Sequence, residues 1–157
     1  MTPAQTALVK AAILADGTLA PLTSGPGTDY VGIMNAMNAP STTTAWRTSV
    51  PPQDMDEAAD YTVFDSIAAG KRDSWGYLIG FNRDFTRNKI RKWITDVWGN
   101  ATAGSSAESI LQAGTEKASK AEVAIGGTVK TTGTVSAIQR DWAGQIQLSD
   151  VVGMFHA

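Results

Sequence analysis

The residues able to do chemistry fall into two opposed clusters. Asp54, Asp56, Glu57 and Asp60 form the densest negative patch of the chain, while Arg83, Arg87, Lys89, Arg91 and Lys92 form its one basic cluster. Paired carboxylates can act as acid and base on a glycoside, and Asp54 with Asp56, or Asp141 with Asp150, are the available pairs. A calcium or magnesium loop needs ligands at alternating positions around a glycine turn, and the 54–60 patch has no such pattern. Its acids instead suit the positive end of a helix that begins after Pro51-Pro52. There is no cysteine and one histidine, His156, which leaves almost no material for zinc sites, thiol nucleophiles or hydrolase triads. Gly25-Pro26-Gly27 precedes no lysine-serine pair and reads as a turn, not a phosphate loop. The expectation is a protein that is not an enzyme, with no catalytic residues, no metal and no cofactor.

The basic cluster can be a solvated helix face, a contact for an acidic protein surface, or a phosphate contact. Sequence-specific nucleic-acid recognition is not expected. Thirteen basic and 15 acidic residues give a formal net charge of -2, which offers no global attraction to a polyanion. Base stacking also needs exposed aromatics, whereas the tryptophans here have helical core spacing. The 157 residues, 43% hydrophobic and 18% charged, are enough for one domain with a sizeable core. The start has no secretory pattern and no run of about 18 apolar residues follows, so a soluble protein without a membrane partner is expected.

The elements that position these clusters read mainly α, in an α+β whole. Thr2-Pro3 opens a helix whose Ala4, Ala7, Leu8, Ala11, Ala12 and Leu14 form a small contact face, ending at Asp16-Gly17. A loop over 19–27 precedes a short helix capped by Thr28 or Asp29, with Tyr30, Ile33, Met34 and Met37 as its stripe. The β-branched run 42–50, bounded by Pro40 and Pro51, reads as an edge strand or extended arm (41–51) able to pair with another subunit. Acids at 54–57 start the next helix. Spacing then predicts a helix over 63–81 with a soft middle at Gly70 and Gly76, and another over 86–98 burying Ile90, Trp93, Ile94, Val97 and Trp98. Ser105 with Glu108 is a capping box opening a long helix that runs to Ile125. After Gly126-Gly127 the chain turns β-rich, with one or two strands or a hairpin before a last short helix at 151–155. The expected organisation is one domain, 1–157, mainly helical over 1–125 with its arm, then a β-rich segment over 126–157.

Several spaced elements resemble small virion proteins of tailed bacteriophages, from the head-tail module. They are Leu14-Ala15-Asp16, Asn38-Ala39-Pro40, Trp46-Arg47-Thr48, the helix segment Ala118-Ser119-Lys120-Ala121-Glu122, and Trp142-Ala143-Gly144-Gln145-Ile146 through Ser149-Asp150-Val151. Their order and spacing carry the match over most of the chain. The Gly126 to Gly133 region departs from the relatives. The resemblance implies a structural part of the particle, most like a neck protein: a head-to-tail adaptor forming a ring against the portal. Such rings are often twelvefold and helical, with arms reaching neighbouring subunits. The implied partners are other copies of the chain together with portal and tail proteins. The implied location is the virion neck or tail, after synthesis in the host bacterial cytoplasm. A minor tail or capsid-decorating protein, or a soluble binding module using the basic helix 83–92, are the alternatives. In the adaptor reading the interface residues are Trp46, Arg47 and Val50 in the arm, by strand pairing or aromatic anchoring, and Arg87 and Arg91 on the basic face. Trp46 can equally be a buried residue stabilising its own subunit.

Overall fold

Helix starts are set by local chemistry at the expected places. In the computed structural model, which describes residues 1–156, Thr2 caps α1 (Pro3–Ala15) in a reciprocal capping box with Gln5. Asp29 accepts from the Gly32 amide to start α2 (Tyr30–Asn38). Ser105 does the same for α6 (Ser106–Ala113) through the Glu108 amide. Between α2 and α6 lie β1 (Pro40–Trp46), α3 (Pro52–Glu57), a 3-10 turn at Tyr61–Ser66, α4 (Ala69–Leu78) and α5 (Asn88–Trp98). After α6 come β2 (Thr115–Ser119), α7 (Lys120–Ile125), β3 (Gly127–Thr132), β4 (Val135–Arg140) and α8 (Leu148–Phe155). The fold is α+β with a β-rich carboxyl-terminal part, as expected.

Four expectations need correction. The run 40–46 is no edge strand: the sheet order is β2-β1-β4-β3, so β1 has a strand on each side, and Ala45 is in parallel register with Ile138 of β4. Its prolines do not interfere, because Pro40 is the first residue of the strand and Pro51 lies beyond its end. The long helix from Ser106 to Ile125 is broken by β2. Gly114 ends α6 where the Phe85 ring lies against its α-carbon, leaving no room for a side chain. Ser119 and Glu122 then form a second capping box that starts α7. The 63–81 helix is two pieces, a 3-10 turn and α4, separated at Ile67 and Ala68. Finally, α1 is turned the other way. It buries Val9 and Ile13, which pack into the core of their unit, leaving Ala4, Ala7, Leu8, Ala11 and Leu14 exposed.

The chain divides into two compact units, each discontinuous in sequence. Unit 1 is Met1–Thr43, Lys117–Thr128 and Arg140–Ala157, and unit 2 is Thr44–Glu116 and Val129–Gln139. The core of unit 1 gathers Val9, Ile13, Ile33, Met37, Val151 and Met154 with their neighbours. Its polar ties are equally specific. Asn38 donates through Nδ2 to the Ile146 carbonyl and accepts the Ile146 amide on Oδ1, each at 2.9 Å. Buried Glu122 accepts from Arg140 at 3.0 Å, from the Ser119 amide at 2.8 Å and from the Gly144 amide at 3.2 Å.

The core of unit 2 is aromatic, built on Trp46, Trp75 and Phe85 with Leu78, Ile94 and Leu111. The two-residue link between β3 and β4 depends on Gly133, whose φ is +58° and whose α-carbon abuts the Ala101 carbonyl. A side chain there would meet both a strained backbone and a filled space.

Candidate functional site

The site is assembled around α4 and α5 within unit 2. Arg83 lies just past the end of α4 and donates from Nε to the Leu78 carbonyl at 2.6 Å, and from Nη2 to the Tyr77 carbonyl. These are carbonyls of the last turn of the helix, which lack intrahelical donors and carry its negative end. Its backbone is fixed as well, by an antiparallel bridge to Val50. So anchored, the guanidinium carbon lies 5.4 Å from the Tyr77 ring centre, 5.5 Å from that of Phe81 and 5.6 Å from that of Trp93. Tyr77 and Phe81 are nonetheless 62% and 61% exposed. Tyr77, Arg83, Arg87, Lys89, Ile90 and Trp93 line an open groove of about 420 Å³.

The electrostatics of the groove follow from which cations are answered. Arg87 donates to Asp84 at 3.1 Å while its side chain stays 75% exposed. Lys92 is paired along the helix with Asp96. Lys89 is exposed and makes no ion pair among the described residues. Arg91, expected on the basic face, is inside. It donates from Nη1 to the Phe85 carbonyl and from Nε to Thr132 Oγ1 at 3.1 Å, and its guanidinium lies 4.8 Å from the Trp46 ring centre. Its position three residues before Ile94 puts it on the buried face of α5. Burial pulls its pKa below the ordinary arginine value, and the nearby Asp84 acts in the opposite direction.

The arm residues are likewise held within the chain. Trp46 and Val50 are fully buried, and the Trp46 indole donates to the Lys130 carbonyl at 3.0 Å. Arg47 is half-buried, paired with Asp54 and donating to the Ala113 carbonyl. Of the five residues chosen from sequence, the structure brings Trp46 and Arg91 together as internal packing and leaves Arg87 at the groove. Sequence reasoning missed Tyr77 and Phe81. Their spacing of four residues, with Arg83 close behind, was the available signal.

The acidic patch is a separate surface of unit 2. The Trp75 indole donates to the Tyr61 hydroxyl at 2.9 Å, and that hydroxyl donates to Asp56. Burial, then the bond to Asp56, raises the Tyr61 pKa above 10.0. Asp60 caps the 3-10 turn through the Thr62 hydroxyl and amide, which lower its pKa. Among the described residues no three histidine, aspartate or glutamate side chains converge as a metal site, and no helix is long and apolar enough to cross a membrane. The groove sets cations suited to an anion, a carboxylate or a phosphate, beside apolar rings. Comparison with protein families, with curated proteins and with solved structures finds no match.

Proposed function

We propose that the chain is a non-enzymatic structural component of a tailed phage particle, a head-to-tail adaptor that forms a ring and touches portal and tail proteins. The observation that carries the reading is the α4–α5 groove. Aromatic and arginine side chains, the types that anchor protein-protein contacts, are fastened to a fixed frame there and left uncovered. The outward stripe of α1, Ala4, Ala7, Leu8, Ala11 and Leu14, supports the same reading. An isolated surface leucine needs no explanation, but a continuous apolar stripe suits a face that is covered in an assembly. The ordered elements from Leu14 to Val151 supply the assignment to the phage particle. The test is quantitative mass spectrometry of purified virions, with light scattering of the isolated protein. About a dozen copies per particle is the expected result for a closed ring on a portal. Absence from the particle overturns the reading, and copy numbers matching the capsid lattice replace the adaptor with a decorating role.

A further inference from the structure

Unit 2 segregates its charge along the chain. From Thr48 to Gly70 there is no lysine or arginine, and the stretch carries Asp54, Asp56, Glu57, Asp60 and Asp65. From Arg83 to Lys92 five cations accompany one acid, Asp84. The two surfaces lie toward opposite ends of α5. Tyr61 and Phe64, within the acidic segment, set their rings against Trp98, the last residue of α5, at 6.1 and 5.6 Å. Lys89, Ile90 and Trp93 of the groove occupy its first half. At 1.5 Å per residue, about 14 Å of helix axis separates Lys89 from Trp98.

The amino-terminal end of α5 is only partly neutralised, by Asp84 just outside the helix. Arg87 occupies the cap position without a side-chain capping bond, and the first turn contains no acid. Lys89, which makes no ion pair among the described residues, therefore adds positive charge where the helix already carries its own. A carboxylate in the groove would relieve this, meeting the ammonium of Lys89, the outer N–H groups of Arg87 and the helix end together. The acidic segment offers the matching surface. Its Asp65 side chain, paired with Arg72 at 3.2 Å, stays 99% exposed, Glu57 is exposed, and Tyr61 and Val63 are 44% and 46% exposed among the acids, leaving apolar surface able to pack on Tyr77 and Phe81.

We infer that the α4–α5 groove of one copy receives the acidic segment 54–65 of a second copy. The contact joins two different surfaces, so its repetition builds a ring when the rotation closes, and the inference rests on the assembly reading above. Carboxylates are favoured over single-stranded nucleic acid because the chain is net negative and because Arg83 already lies close to the Tyr77, Phe81 and Trp93 rings.

Charge exchange tests it on the full chain, with substitutions at exposed side chains. Wild-type protein should associate at low ionic strength in light scattering and dissociate in about 0.5 M salt. Arg87→Glu with Lys89→Glu, and separately Glu57→Lys with Asp65→Lys, should each weaken association more than about tenfold. An equimolar mixture of the two variants should associate again, since each charge is then met by its opposite. A wild type that stays monomeric at millimolar concentration, either variant assembling normally, or a mixture that fails to recover would overturn the contact. So would a monomeric wild type that binds fluorescent oligothymidylate through Arg87 and Lys89. A dozen copies in the particle with normally assembling variants removes this contact and keeps the adaptor. A working charge exchange in a protein absent from particles does the reverse.

Discussion

Units 1 and 2 reach a packed interior by different means. Unit 2 fills its centre with volume: four of the five tryptophans belong to it, and Trp46 and Trp75 are buried among branched aliphatic residues. Unit 1 has a smaller aliphatic core and secures remote segments with polar clamps, Asn38 on Ile146 and Glu122 on Arg140 and Gly144. The difference teaches where each is vulnerable. Unit 2 should respond to lost volume, and unit 1 to lost hydrogen-bond partners.

The comparison is best broken at Trp46. Trp46→Ala removes a fully buried indole, its bond to the Lys130 carbonyl and the ring beside the Arg91 guanidinium, and should cost about 4 kcal/mol in urea unfolding. A cost under about 1 kcal/mol, with assembly lost instead, would return Trp46 to the interface role considered from sequence. Next is Glu122→Ala, which removes a buried carboxylate bonded to part-buried Arg140 and to two backbone amides, and should cost about 3 kcal/mol. Asn38→Ala deletes two hydrogen bonds to the backbone at Ile146 and should cost about 2 kcal/mol in the same assay. If Val9→Ala proved far costlier than either, the polar account of unit 1 would fail.

The smallest expected effect concerns acid. The Thr134 hydroxyl and the Gly104 amide lower the pKa of Glu108 below its ordinary 4.5. Its carboxylate therefore favours the folded chain above pH 4.5, and that contribution is lost as the pH falls through the lowered value. Glu108→Gln should accordingly show a smaller drop in urea midpoint between pH 7 and pH 3 than the wild type. An equal drop would assign the acid sensitivity of unit 2 to other groups.

Much of this fold was legible where a local signal decides the backbone. Thr2, Asp29 and Ser105 announced their helices through side-chain caps, and Gly133 marks the turn of the carboxyl-terminal hairpin. What escaped was decided by distant partners. Thr115–Ser119 sits in an alanine-rich run that suits a helix, and only its place beside β1 makes it a strand. The inner position of β1 is equally invisible to composition, because its threonines suit edge and centre alike. At the site, the location of the basic cluster was readable, but its members were not equivalent. Arg91 shares the buried face of α5 with Ile94, and the uncovered rings of Tyr77 and Phe81 depend on how Arg83 is anchored.

The interleaving of the units in sequence has a consequence during synthesis. Unit 2 has all its residues once Gln139 has been added, whereas the core of unit 1 waits for Ile146, Val151 and Met154. Val9 and Ile13 are made well before them, and at about 5–20 residues per second they wait on the order of ten seconds for these packing partners. Through that interval the nascent chain carries an apolar amino-terminal helix without its finished core, open to a chaperone or to a neighbouring chain on the same messenger.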